Sequence, residues 1–157
     1  MPLDADGLKA DIRAIAEDPP ASVITAAQQW AQAVVFYAGS VVPASTTASA
    51  AGATLQDALA KPSEEEDDPA TGAFTTSNAA AAMEAAFAAF ATTLAGGMAG
   101  AGFAGTPPAG LVGFAALFAV KRGSAEAAAN AVGAAIDTWM RTGTAVPLAG
   151  GAAQLWV

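Results

Sequence analysis

Ser77-Asn78-Ala79-Ala80-Ala81-Ala82-Met83-Glu84-Ala85-Ala86-Phe87-Ala88-Ala89-Phe90-Ala91-Thr92-Thr93-Leu94-Ala95 places four large apolar side chains, Met83, Phe87, Phe90 and Leu94, at spacings of 4, 3 and 4. That period puts all four on one face of an α-helix. Every other position is small except Glu84, and alanine is the residue that orders into a helix at least cost. Ser77-Asn78 can open this helix and Gly96-Gly97 can end it.

Outward from this segment the same period recurs. Asp4 can cap a helix through Ala16, with Leu8, Ile12 and Ile15 on one face. Asp18 reads as the N-cap of a second helix, with Pro19 at its first position, where a missing N–H costs nothing. Its stripe is Val23, Ala27, Trp30, Val34 and Tyr37, and Gly39 closes it. Thr46 to Ala60 is ambiguous, though Leu55 and Leu59 can share a face. Towards the C-terminus, Thr106-Pro107-Pro108 has the form of a helix start. The helix it opens carries Leu111, Phe114, Leu117 and Phe118 and stops at Lys121-Arg122-Gly123, cations that suit a helix C-terminus. Ser124 can cap a last helix to Arg141, burying Ala128, Val132, Ile136 and Trp139 or Met140. The expectation is an all-α fold of about five helices in helical hairpins, a single helical domain over 1–157. Two stretches fall outside the helices: an exposed, mobile acidic loop over 61–72, where Glu64 to Asp68 stand between prolines, and an irregular C-terminal arm over 142–157.

Composition sharpens this picture. The chain has 157 residues and a net charge of −8, and its 47 alanines outnumber its Leu, Ile, Val and Phe together. Helices form readily from such a sequence, but each has little apolar area to bury, and burial contributes only roughly 25 cal/mol per Å². Thin-cored helices gain from close approach and from neighbouring subunits, so an assembly component is expected.

The same composition removes several chemistries. With no Cys and no His there is no disulfide, no Cys- or His-ligated zinc, no thiol nucleophile and no Ser-His-Asp triad. The acidic balance argues against nucleic acid, whose backbone is bound through Lys and Arg. Gly100-Ala101-Gly102-Phe103-Ala104-Gly105 matches the dinucleotide fingerprint in letters, but the pattern lacks its preceding strand and parallel sheet, so it reads as a linker. The run Glu64 to Asp68 lacks the ligand spacing of a calcium loop. No catalytic residue, no cofactor and no metal site is assigned, and the chain is not expected to be an enzyme. Met1-Pro2-Leu3-Asp4 lacks the features of a signal peptide, so cytoplasmic synthesis without classical export is expected.

Two features point to docking. Val41, Val42 and Pro43 form an extended segment, since residues before proline avoid the helical region. Val146, Pro147, Leu155, Trp156 and Val157 make an apolar end behind Gly150-Gly151, which docks either on its own core or on a neighbour as a swapped arm or added strand. These eight residues are the candidate protein-interface set. A competing reading is a membrane-interacting helical hairpin, holin-like or effector-like, built from the uncharged stretch Ala85 to Val120. The glycines after Gly96 and Pro107-Pro108 cut that stretch into pieces too short to span alone.

Trp30 and Tyr37 followed by Val42-Pro43-Ala44-Ser45, then Met98 and Gly105-Thr106-Pro107-Pro108, then Trp139-Met140-Arg141-Thr142-Gly143-Thr144 carry a resemblance that covers about two thirds of the chain. In this layout the sequence resembles the small Ala/Gly/Thr-rich helical virion structural proteins of tailed bacteriophages, subunits of neck, tail or baseplate. The acidic loop departs from that pattern. The resemblance implies a structural role in a virion, with other virion proteins or further copies of itself as partners, and no catalytic residues carry over.

Overall fold

The computed structural model describes residues 3–64 and 76–157. Among them are six α-helices, α1 (Ala5–Glu17), α2 (Val23–Ala38), α3 (Ala48–Glu64), α4 (Thr76–Gly97), α5 (Phe114–Ala119) and α6 (Ala125–Met140). A 3-10 turn follows α4 over Met98–Ala101. A small antiparallel sheet is formed by β1 (Phe103–Thr106), β2 (Thr144–Pro147) and β3 (Gln154–Leu155), in that spatial order. The fold is mostly helical, and the sheet is the part an all-α reading leaves out.

The caps explain where helices begin. Asp4 accepts from the Gly7 N–H and Ser124 from the Ala127 N–H, each satisfying one orphan donor of a first turn. The second helix does not start at Asp18 and Pro19. Asp18 instead closes α1, and Ser22 caps α2 by accepting from Thr25 N–H. The ambiguous 46–60 segment is helical as α3, and that helix runs on through 61–64. Residues 61–64 of the expected acidic loop are therefore helical, and 65–72 lie outside the described residues.

The stripe on α4 is the centre of the core. Phe87, Phe90, Leu94 and Met98 are fully buried, together with Leu8 and Ile12 of α1, Val34 and Tyr37 of α2, Leu55 of α3, and Ile136 and Met140 of α6. Helix α3 lies between α2 and α4, and α1 packs on α6 and α2. Small residues set how closely these rods approach. A Cβ on Gly52 would overlap Val35 of α2, and one on Gly133 would meet Lys9 of α1.

Two sequence expectations fail between α4 and α6. The Gly100–Gly105 segment is not a linker: it forms the 3-10 turn and β1. The helix expected from Pro108 is confined to Phe114–Ala119, and Leu111 is exposed. Gly110 and Gly113 take φ of 77° and 95°, a left-handed backbone that interrupts any helix there.

Candidate functional site

The irregular arm expected over 142–157 is ordered as two strands. β1 and β2 pair with Phe103 opposite Pro147 and Thr106 opposite Thr144, and β2 and β3 pair with Thr144 opposite Leu155. The sheet is extended by one more pair. Val42 N–H donates to the Val157 carbonyl at 2.8 Å and Val157 N–H to the Val42 carbonyl at 3.2 Å, the reciprocal exchange of an antiparallel pair. Two distant segments, 41–43 and 154–157, from which docking is expected, are thus brought together.

Side chains alternate across this sheet. Inward point Ala145 and Trp156, both fully buried. The Trp156 ring lies against Gly143, where a Cβ would overlap it, and its indole N–H donates to the Thr144 carbonyl at 3.0 Å. Trp156 thus docks on the core of its own chain, the first of the two arrangements expected for this segment. Val41 and Pro43 are also buried, and Pro147 is half-buried. The outward face keeps Val42 (45% exposed), Val146 (38%), Leu155 (58%) and Val157 (43%), with Ala104 and Thr106 of β1 beside them. Of the eight candidate residues, four form one uncharged, solvent-facing patch, and Val41, Pro43 and Trp156 belong to the interior beneath it.

Below this patch, polar groups fix the frame. Ser45 and Thr47 hydroxyls donate to the Leu94 and Thr93 carbonyls at 2.7 and 2.6 Å, and Thr46 donates its hydroxyl to Gly97. The Leu94 and Gly97 carbonyls are among the four that the end of α4 leaves without an intrahelical partner. Gly97 has no room for a Cβ against Ser45 and Thr47, which accounts for part of the glycine run.

Glu84 was the one charge on an otherwise small and apolar helix, and its work was invisible in the sequence. Its carboxylate accepts three backbone N–H groups, from Val112 at 2.8 Å, Gly113 at 2.6 Å and Phe114 at 2.7 Å. It therefore caps α5 from another helix. A second cluster ties α2, α6 and the N-terminal segment. Tyr37 donates its phenol to Asp137 Oδ1 at 2.7 Å, Arg141 Nε reaches both Asp137 oxygens at 2.9 Å, and Arg141 also donates to the Leu3 carbonyl. Burial, then the bond to Asp137, push the Tyr37 phenol above its ordinary range, and Asp137 likewise raises Arg141. Both clusters are internal ties, and among the described residues no fully buried side-chain nitrogen or oxygen lacks a hydrogen-bond partner. Among the described residues, no three carboxylates gather as a metal site. Comparison with family models, with curated proteins and with solved structures finds no match.

Proposed function

We propose that this chain is a non-enzymatic structural subunit of a multi-protein assembly, docking through the outer face of its sheet. The observation that carries the reading is the contiguous patch of Val42, Val146, Leu155 and Val157, four large apolar side chains exposed on one face. Single exposed apolar residues are ordinary, whereas a contiguous group supported by a rigid sheet and a buried Trp is the form of an interaction surface. The finer assignment, a tail, baseplate or neck component of a tailed-phage virion, rests on the resemblance described above, and its partners are other virion proteins or further copies of the chain.

The test is incorporation. Wild-type protein should sediment with a multi-protein particle, and the double substitution Val146→Lys/Leu155→Lys should stay in the soluble fraction with unchanged circular dichroism. Absence of the wild type from any particle, or equal incorporation of the variant, overturns the reading. Truncation at Gln154 is a poor probe, because it also removes Trp156 from the core.

One observation favours a membrane reading. The stretch 79–101 is 23 residues long with mean hydropathy 1.3, long and apolar enough to cross a bilayer by length and composition. Its helical continuity also exceeds the short pieces expected from the glycines. Against this, Phe87, Phe90, Leu94 and Met98 all point into the core, which leaves mainly Ala and Thr for lipid. Flotation of purified protein with liposomes would establish the membrane reading, and recovery wholly in the aqueous fraction would end it.

A further inference from the structure

Away from the sheet, an open groove of about 560 Å³ runs between α1 and α2. Ile15, Ala33 and Phe36 make its apolar part, and Asp11 and Asp18 stand at its rim. Phe36 is 75% exposed, the most exposed large apolar side chain among the described residues. Neither Asp11 nor Asp18 lies in an ion pair, although neighbouring α1 charges do: Lys9 pairs with Asp6, and Arg13 with Glu17 and Glu126.

The molecule carries the complement elsewhere. Val120, Lys121 and Arg122 follow α5, with Val120 57% exposed and Lys121 exposed beside it. Arg141 is held by Asp137. Lys121 and Arg122 are therefore the cations among the described side chains, which exclude that of Lys61, with no carboxylate in ion-pair distance. Arg122 reaches only the Leu117 carbonyl, at 3.4 Å. An apolar side chain followed by two uncommitted cations matches an apolar groove rimmed by two uncommitted carboxylates.

We infer that copies of this chain associate by seating Val120-Lys121-Arg122 of one copy in the α1–α2 groove of the next. Val120 packs on Phe36 and Ile15, and the two cations meet Asp11 and Asp18. In a chain of net charge −8, this local attraction is what allows like-charged copies to approach. The two surfaces share no residue, so the contact is heterologous and repeats into a ring or an open row, or closes reciprocally between two copies. It does not depend on the sheet face, which stays free for another partner.

Light scattering on the full chain tests this at low ionic strength. The wild type is expected at a multiple of 15.2 kDa. Phe36→Arg in the groove and Val120→Asp at the tip should each weaken association by at least about tenfold in Kd, since each places a charge at the centre of the contact. Circular dichroism should be unchanged, because both side chains are exposed. An equimolar mixture of the two variants retains one intact groove and one intact tip, so it should form pairs and nothing larger. A monomeric wild type, a variant that keeps the wild-type mass, or a mixture that fails to pair would overturn the inference. Leu155→Lys, on the sheet, should leave this association intact. If it alone abolishes association, the sheet face joins the copies and the groove proposal falls while the assembly reading stands.

Discussion

At Glu84 a single carboxylate fixes the start of α5, in the segment between β1 and α6. It is half-buried and holds three N–H groups that would otherwise face the helix start unpaired. Hydrogen bonds to a charged group each contribute about 1.5–3 kcal/mol, and unpaired buried donors add a penalty. Glu84→Ala is therefore expected to destabilise by on the order of 3 kcal/mol in urea unfolding. Glu84→Gln should cost less, since its single carbonyl oxygen can still accept. Tyr37, the chain's one tyrosine, supports a pH prediction. Its phenol is held neutral by burial and by Asp137, so its folded pKa lies above the unfolded value of about 10. A raised pKa means this contribution is fully present below pH 10 and is lost as pH rises beyond it. Above that point stability should fall by up to about 1.4 kcal/mol per pH unit. Tyr37→Phe should flatten that slope while costing about 1 kcal/mol at neutral pH. Denaturant midpoints from pH 8 to pH 11, with phenolate absorbance, check both.

At the scale of elements, legibility followed side-chain size. Helices α1, α4 and α6 could be read because Leu8 and Ile12, Phe87 to Leu94, and Ile136 with Trp139 are large enough to mark a face. The strands could not: Phe103-Ala104-Gly105-Thr106 is too short and too small-sided to show alternation, and β3 is two residues long. Thr106-Pro107-Pro108 has the form of a helix start, but two left-handed glycines and Glu84 place the start at Phe114 instead. The extended form of 41–43 could be read from Pro43, but its pairing with 154–157 through Val42 and Val157 could not, because no local pattern encodes it. Glycine has opposite meanings in two helices, which yields a paired prediction. A Cβ at Gly96 meets nothing within 4 Å, so Gly96→Ala should stabilise α4 by about 0.5–1 kcal/mol. At Gly52 the same methyl collides with Val35, whose β-branched side chain has little rotamer freedom. Gly52→Ala should destabilise by about 1 kcal/mol or more, and Val35→Ala in the same chain should relieve the collision. Thermal denaturation of the three variants reads both signs.

For the whole molecule, alanine and charge act in opposite directions. Helices lined with methyls close up where glycine lets backbones meet, so the interior is filled by few large side chains: Trp156, Tyr37, Phe87, Phe90 and Phe114 lead them. Among the surfaces left outside are two of different physics, a sheet face with uncharged side chains and a groove with carboxylates at its rim. Salt separates them. The Debye length falls from ~10 Å at 0.1 M to ~3 Å at 1 M. Screening weakens contact between Asp11, Asp18 and the Lys121-Arg122 pair, which depends on charge attraction. It also reduces the mutual repulsion of copies at net charge −8, and so favours contact through Val42, Val146, Leu155 and Val157, whose side chains carry no charge. Raising ionic strength from about 0.1 M to about 1 M should therefore dissolve the association that Phe36→Arg removes. Incorporation that depends on Leu155 should persist or strengthen. Sedimentation velocity across that range should show self-association falling with salt in the wild type and in Leu155→Lys alike. A mass that rises with salt in the wild type and not in Leu155→Lys would place self-contact on the sheet.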